Sequence, residues 1–315
     1  TTVKMGLFAE NGDIRDKWEI VTKTEDEGKA ILPDVAAAIS GKMEEHHLTK
    51  EDIKGIGVGV PAPVTSEGVV NGSANLGWKY KEAKKELEEL TGMKATFGND
   101  ANVAALGEMW KGGGAGCKNL VMVTLGTGVG GGVIVGGKIV VGQFGAGGEI
   151  GHMCVNYHET KQCGCGSYGC LEQYASATGI VRLATEKLES ETRSTLLKKE
   201  ELSAKAESSS FFRSEELSAK AVFDAVKEGD EVATEIATEM GEYLGHALAN
   251  IAAVLDPAIF VIGGGVSKAG DVLLPFIEKP FKDRAFFASQ NVKFALATLG
   301  NDAGICGAAK MVLED

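Results

Sequence analysis

The order of apolar and polar positions predicts that the chain opens with two strands and continues as alternating strands and helices. Val3–Phe8 and Ile14–Val21 flank an Asn-Gly turn, which is typical of a β-hairpin. Apolar residues at helical spacing then predict a helix over 25–47. By the same reasoning, further strands are predicted at 53–60, 120–125, 133–135, 138–141, 258–262 and 292–296, and further helices at 81–91, 101–110, 171–189, 216–255, 268–278 and 303–313.

A glycine-rich stretch at 112–116 separates two α/β halves, and each half begins with strands joined by tight turns. A chain of 315 residues is long enough for two domains. We therefore expect a smaller N-terminal α/β domain formed by 1–110 plus 301–315, and a larger C-terminal α/β domain formed by 111–300. The similar openings of the two halves predict an internal structural duplication.

Composition and charge narrow the class of protein. A hydrophobic fraction of 44% and a charged fraction of 24% are those of an ordinary globular protein, and no apolar run is long enough for a membrane span. A net charge of -12 disfavours nucleic acid and anionic membranes as partners. The six cysteines are too few for a disulfide scaffold in a chain of this length, so we expect a cytoplasmic protein.

The most specific chemical motif is a group of three cysteines that follows a histidine. Cys163, Cys165 and Cys170 are separated by glycines, and together with His152 they form the Cys3His set of a closed, structural zinc site. A disulfide or three buried free cysteines are the alternatives. Such a knot would fix two neighbouring carboxylates, Glu149 and Glu172, at the floor of a polar binding pocket.

Two glycine strings follow predicted strands and could contact phosphate groups. Gly126, Thr127 and Gly128 begin a string that lacks the Lys of a Walker A loop and does not lead into a helix. Its backbone amides could still converge on an anion, although a plain glycine hairpin is the alternative. The second string, Gly263-Gly264-Gly265, leaves a strand and enters a predicted helix, so it could form a second wall of a nucleotide cleft.

Polar residues at two further places are candidates for a substrate site. Asn99 and Asp100 stand where a strand becomes a helix, a position at which both residue types commonly cap the helix. Asp100 could instead act as a general base that takes a proton from a substrate hydroxyl. Asn75 lies in a polar loop and could donate a hydrogen bond to a sugar hydroxyl.

Taken in order, these motifs resemble those of the ROK family (repressors, uncharacterised proteins and sugar kinases) along essentially the whole chain. The residues that carry the resemblance are 59–63, 75–78, 99–102, 105–110, 125–132, 147–152, 163–172, 262–267 and 300–304. The resemblance implies an α/β protein with an actin-like ATPase (ribonuclease H-like) fold, whose two domains enclose sugar and ATP in an interdomain cleft. It also implies the phosphorylation of glucose at its 6-hydroxyl by ATP and Mg²⁺, with structural Zn²⁺, in a homodimer.

The resemblance also implies roles for individual residues. Asp100 would be the catalytic base, and the sugar would contact Asn75, Asn99, Asp100, Glu149, His152 and Glu172. The nucleotide would contact Thr1, Thr2, Lys4, Gly126, Thr127, Gly128, Gly263, Gly264 and Gly265. The family's first strand runs into an Asp-x-Gly-Gly-Thr loop that also serves Mg²⁺. Because this chain begins at Thr1-Thr2-Val3-Lys4, we expect that strand and its Asp to precede Thr1.

Three alternatives to a glucose-specific, ATP-dependent kinase stay open. One is a sugar-responsive repressor of the same family, which would need an N-terminal helix-turn-helix. The others are a kinase for mannose or an N-acetylated hexosamine, and a kinase that uses polyphosphate as donor.

One segment of the chain is an exact repeat and matches none of these functions, since the sequence Glu200–Ala206 recurs unchanged as Glu215–Ala221. We interpret it as a tandem duplication or a sequence error rather than a site.

Overall fold

A computed structural model of the chain describes residues 2–197 and 217–314, and it shows a mixed α/β protein. The strands are β1 (Thr2–Phe8), β2 (Ile14–Val21), β3 (Ile56–Val60), β4 (Ala95–Asn99), β5 (Leu120–Leu125), β6 (Val129–Val135), β7 (Lys138–Ile139), β8 (Ile259–Gly263) and β9 (Lys293–Leu296). Among the described residues, no helix is both long and apolar enough to span a bilayer.

The helices lie between these strands and after them. They are α1 (Glu25–Gly28), α2 (Ile31–Glu45), α3 (Ala83–Thr91), α4 (Asp100–Lys111), α5 (Glu172–Ala175), α6 (Ala177–Ser190), α7 (Ala219–Lys227), α8 (Glu231–Leu255), α9 (Leu274–Arg284) and α10 (Ala303–Val312). Short 3₁₀ segments add turns, among them Ala74–Leu76, Ile150–His152, Val266–Val272 and Gly300–Asp302.

The chain forms two compact units. The first unit contains Thr1–Met122, Gly132–Gly148 and Thr298–Asp315, and the second contains Val123–Gly131 and Glu149–Ala297. The predicted domain boundaries (1–110 plus 301–315, and 111–300) stay a prediction.

The first unit holds two small sheets. β1 and β2 pair as the predicted antiparallel hairpin, and β3 pairs with β4 in parallel. Helix α10 packs closely on β3, because a Cβ added to Gly57 would lie only 1.8 Å from the Ala308 carbonyl oxygen. Helices α4 and α10 also meet backbone to backbone, at Gly107 and Gly307. These contacts place helix α4, which begins at Asp100, firmly within the core.

A five-stranded sheet has the order β7-β6-β5-β8-β9. β8 and β9 pair in parallel, whereas β6 and β7 are antiparallel. An aromatic cluster of Phe260, Phe281 and Phe294 packs where this sheet meets α9, with ring centroids 5.1 to 5.6 Å apart. The central strands end at the two glycine strings, so the buried sheet holds those strings in place.

Two predicted helices are interrupted, and the prediction of continuous helices was wrong there. In the segment predicted as helix 25–47, Asp26 and Glu27 have left-handed backbone angles, and the regular helix α2 begins only at Ile31. In the segment predicted as helix 171–189, Ser176 is extended and caps α6 by accepting from the Gly179 amide. The apolar spacing begins only at Ile31, so the prediction extended the first helix too far towards its N-terminus, whereas at Ser176 the spacing continues through the interruption and did not reveal it.

Two further boundaries differ from the prediction. The segment 216–255 forms two helices, because Gly229 is left-handed with a φ of 81° and Asp230 caps α8. The glycines 130–132 belong to strand β6 rather than to the turn. After the second glycine string the chain forms a 3₁₀ segment, 266–272, before α9 begins at Leu274, so the predicted helix 268–278 is displaced.

Most of the repeated segment lies outside the described residues, which include only its last five residues, 217–221. Residues 218–221 form the start of α7, where Ser218 caps the helix by accepting from the Ala221 amide at 3.1 Å. Residues 203–206 have the same sequence, Ser-Ala-Lys-Ala. Deleting 207–221 would therefore join an identical helix start to Val222.

We expect deletion of residues 207–221 to leave the steady-state kinetics and Tm near those of the wild type. The cap and first turn of α7 would be restored by the first copy, and changing the length of a connecting segment generally alters loop entropy only slightly. A deletion of equal length over 216–230 is the control. It removes Phe223, which is 2% exposed, and should unfold the protein. A large loss of activity in the first deletion would show that the repeat has a role.

Candidate active site

The start of helix α4 presents a carboxylate at an open position. Strand β4 ends at Asn99, whose side-chain oxygen caps α4 by accepting from the amides of Ala101 and Asn102 at 3.0 and 3.2 Å. The next residue, Asp100, is exposed and accepts from the Ala101 amide at 2.9 Å. Because a helix N-terminus favours negative charge, an acidic residue is well suited to this position.

The capping alternative therefore describes Asn99 rather than Asp100. The Asn99 amide also donates to the Ala62 carbonyl at 3.3 Å, so the backbone engages both ends of its side chain. Its role as a sugar contact stays a prediction. Asp100 instead lines a cavity, and a general base would have to face such a cavity to reach a substrate hydroxyl.

A cavity of about 1240 Å³ lies in the first unit next to Asp100. Strands β1 and β3 line it, together with Asn75 from the 3₁₀ turn at 74–76. Of the residues predicted to contact the nucleotide from the start of the chain, Thr2 and Lys4 line this cavity, whereas Thr1 lies outside the described residues.

The second unit brings the four predicted metal ligands together. One ligand atom from each of His152, Cys163, Cys165 and Cys170 lies within 4.8 Å of those of the others. The sulfurs of Cys165 and Cys170 are 3.6 Å apart, and the Cys163 sulfur is 3.9 Å from Nδ1 of His152. Tetrahedral zinc with Zn–S bonds of about 2.3 Å requires sulfurs about 3.7 Å apart. All six cysteines are free, and a disulfide would need sulfurs about 2.05 Å apart.

Hydrogen bonds within the segment keep these ligands in place. The Cys163 amide donates to the Ser167 carbonyl, and the Gly166 amide donates back to Cys163, at 2.8 and 2.9 Å. Gln173 links the two ends of the segment, since its oxygen accepts from the Cys170 amide and its nitrogen donates to the Lys161 carbonyl. The segment therefore has the arrangement of a tight loop folded around one ion.

Two carboxylates adjoin the metal group, as expected from the sequence. Oε1 of Glu172 accepts from the Cys163 thiol at 3.0 Å and lies 3.8 Å from Nδ1 of His152. Nε2 of His152 points the other way and lies 4.0 Å from Oε2 of Glu149. One ring nitrogen therefore faces the sulfurs, and the other faces a carboxylate predicted to hold sugar.

Burial dominates the electrostatics of the thiols. It raises the pKa of Cys163 to about 12 and also raises the pKa of Cys170. The pKa of Cys165 is lowered, chiefly by the hydrogen bond from the Ser167 amide. A bound cation would oppose the effect of burial by stabilising the thiolates.

The structure also brings the two glycine strings together. Gly264 has a φ of 86°, and a Cβ added to it would lie 2.5 Å from the Leu125 carbonyl oxygen, directly before Gly126. The turn at 126–128 is fixed on its other side, because Thr178 donates to the Thr127 carbonyl at 2.7 Å. A Cβ at Gly128 would lie 2.7 Å from Oε2 of Glu172, so this loop reaches the metal group as well.

The predicted site residues thus form two groups. Thr2, Lys4, Asn75 and Asp100 surround the cavity of the first unit. Glu149, His152, Glu172 and both glycine strings belong to the second unit.

Two buried polar residues of helix α4 were missed by the sequence reasoning. Glu108 is fully buried, and its carboxylate accepts from the amides of Gly113, Thr298 and Leu299. Asn102 is 3% exposed. Both lie in motifs that carried the family resemblance, but their partners include backbone groups of distant segments, which no local pattern indicates.

The chain is similar to known proteins over most or all of its length. A glucokinase of Halalkalibacterium halodurans is 43% identical over 316 residues, which cover 100% of this chain and 92% of that protein. The crystal structure of a ROK family glucokinase from Streptomyces griseus, in complex with glucose and AMPPNP, superimposes with a TM-score of 0.75 at 32% identity, covering 100% of this chain and 97% of that one. A xylose repressor of Caldicellulosiruptor bescii is 28% identical, covering 88% of this chain and 67% of that protein.

The similarity to solved sugar kinases confirms that the protein has the actin-like ATPase fold. The model of the ROK family matches residues 1–315. The chain belongs to the ROK family.

Proposed function

We propose that this protein is a glucokinase, which transfers the terminal phosphoryl group of ATP to the 6-hydroxyl of glucose and releases glucose 6-phosphate and ADP. The observation that carries the proposal is the exposed carboxylate of Asp100, which stands at a helix start and lines a cavity together with Asn75. The 43% identity to a glucokinase over the whole chain supports the same assignment.

Asp100 would accept the proton of the 6-hydroxyl as that oxygen attacks the phosphorus atom. The Ala101 amide holds one carboxylate oxygen of Asp100 at 2.9 Å, and the side chain lines the cavity in which the hydroxyl would bind. Because phosphoryl transfer depends mainly on positioning and on charge stabilisation, one well-placed base is sufficient for the acceptor side.

The nucleotide would bind along the two glycine strings. The close approach of Gly264 to the Leu125 carbonyl places the two strings side by side, and their glycines leave the backbone accessible to a phosphate. The Thr127 hydroxyl and the backbone amides of the turn could donate to phosphate oxygens. Mg²⁺, when bound to ATP, supplies further neutralisation of the phosphate charge.

Zinc would have a structural role. The Cys3His set has the spacing of a closed tetrahedral site, and it offers no open position for substrate. Since Nδ1 of His152 faces the sulfurs, this nitrogen would bind the metal and leave Nε2 for a sugar hydroxyl. The ion would thereby orient His152 and, through it, the neighbouring Glu149 and Glu172.

A coupled assay of ADP release tests the function, with glucose, 2-deoxyglucose, mannose, fructose and N-acetylglucosamine as acceptors and ATP or polyphosphate as donor. We expect glucose with ATP and Mg²⁺ to give the highest kcat/KM. Polar groups built to bind hydroxyls reject analogues that leave them unpaired, often by about 10⁴-fold. If N-acetylglucosamine reacted as well as glucose, the sugar assignment would be wrong.

A sugar-responsive repressor is the second candidate, favoured by the similarity to a xylose repressor. The net charge of -12 disfavours it, because DNA binding needs a basic surface. The absence of ADP release with every sugar, together with sugar-dependent DNA binding, would establish this alternative.

We also propose that the protein is a cytoplasmic homodimer. The six free cysteines suit a reducing compartment. Exposed aromatic side chains such as Phe286 and Phe287 could contribute to an interface between copies. Light scattering of the purified protein would measure the oligomeric state.

A further inference from the structure

Asn102 has an unusual environment in the first turn of helix α4. The residue is 3% exposed, and its side-chain nitrogen donates to the Gly147 carbonyl at 3.1 Å. Its side-chain oxygen is buried and has no hydrogen-bond partner among the described residues. Buried polar atoms are normally paired, so an unpaired amide oxygen calls for an explanation.

Helix formation does not explain this amide. Asn99 caps α4, and Asn102 contributes only its backbone amide to that cap. Burial favours an apolar side chain at this position, and the surroundings are tight, since a Cβ added to Gly132 of β6 would lie 3.2 Å from the Asn102 Cα. Within the described part of the chain, the polar contact of this side chain is the one to the Gly147 carbonyl.

Gly147 lies two residues before Glu149. On one side, the Gly147 amide donates to the Val141 carbonyl at 2.9 Å, and a Cβ on Gly147 would lie 2.1 Å from the Val140 carbonyl oxygen. On the other side, its carbonyl accepts from Asn102. The next residue, Gly148, has a φ of 94°, which glycine adopts most readily, so the chain turns sharply just before Glu149.

We propose that Asn102 is a positioning residue that fixes the Gly147–Gly148 turn and thereby places Glu149 for sugar binding. The side chain at position 102 has to donate a hydrogen bond to the Gly147 carbonyl in a tightly packed space. An asparagine amide is small enough to do so, and its unpaired oxygen is the cost of that donor. Helix α4 would then set both the base, Asp100, and the approach of the chain to a sugar contact. The part of this inference that concerns sugar rests on the proposed function.

The test compares Asn102→Leu with the wild type. Leucine has the same branching and number of heavy atoms, although it is bulkier, and it removes the donor. Asn102→Asp keeps the size and shape while replacing the amide donor by a carboxylate. Asn119→Leu is the control. The Asn119 side-chain oxygen accepts from the Gly136 amide at 2.7 Å, so the variant also removes a hydrogen bond between an asparagine side chain and a loop glycine. Hydrogen–deuterium exchange over 145–152, and KM and kcat for glucose and ATP, are measured for each protein.

We expect both Asn102 variants to speed exchange over 145–152 and to raise KM for glucose about tenfold, which is the effect of about one lost hydrogen bond. The KM for ATP should stay unchanged and kcat should stay within about threefold, because α4 keeps its Asn99 cap. Asn119→Leu should change neither readout.

Unchanged exchange in both Asn102 variants would overturn the inference, and so would faster exchange with an unchanged KM for glucose. If the Leu variant failed to fold, the Asp variant would decide. If the wild type did not phosphorylate glucose, the proposed function would fail, whereas the exchange comparison would still decide whether Asn102 fixes the turn.

Discussion

Replacing Asp100 with Asn is expected to lower kcat by about 10²–10⁴-fold, the usual contribution of a general base. The amide keeps the shape of the carboxylate but cannot accept the proton of the 6-hydroxyl. Its oxygen can still accept from the Ala101 amide, so helix α4 should begin unchanged. Glucose affinity, measured by calorimetry in the absence of ATP, should stay within a few fold because the base acts mainly in the transition state.

Asp34→Asn is the matched control for this experiment. Asp34 also lies in the first turn of a helix of the same unit, where it forms an ion pair with Lys23 at 2.8 Å, and it has no proposed role in catalysis. Its replacement should leave kcat near that of the wild type. An Asp100→Asn protein that retained more than about a tenth of the wild-type kcat would contradict the role of base.

The second large effect is expected when the metal group is broken. Cys165→Ser should abolish the binding of one zinc ion per chain, measured by elemental analysis of the purified protein. The kcat/KM for glucose should fall at least about 100-fold, because structural zinc contributes much of the folding energy of its loop and orients the residues around it. His152, Glu149 and Glu172 would lose their fixed positions together.

Cys154→Ser provides a stringent control. Cys154 forms an isolated β-bridge with Cys170, yet it is not one of the four grouped ligands. Its replacement should leave both zinc content and activity intact. A wild-type protein that was free of metal and still folded and active would refute the structural role of zinc, as would equal loss of zinc in the two variants.

The sequence was sufficient for features that depend on neighbouring residues. The Asn-Gly turn and the flanking alternation predicted the β1–β2 hairpin, and runs of apolar residues predicted β5 and β8 within one residue of their ends. The spacing of the cysteines predicted a compact group of ligands, and His152 joins it as expected. In each case the information lies within a short stretch of chain, where spacing largely determines geometry.

Helix interruptions were not predictable in the same way. Apolar periodicity continues through Ser176 and Gly229, although the backbone leaves the helix at both positions. A polar residue in such a pattern can occupy a helix surface or cap a new helix, and the choice depends on the packing of the following segment. Tertiary structure therefore decided where α6 and α8 begin.

The chemistry of the site also depended on the tertiary structure. The sequence placed Asn99 and Asp100 side by side, but only the fold shows that Asn99 caps the helix while Asp100 faces a cavity. Likewise, only the fold shows that Nδ1 of His152 faces the sulfurs. The partners of Asn102 and Glu108 are backbone groups of distant segments, at 147 and at 298–299. Residue types and their spacing thus determined which chemical groups are available. The direction in which each group points was determined by contacts between distant segments, and these contacts form only when the chain is packed.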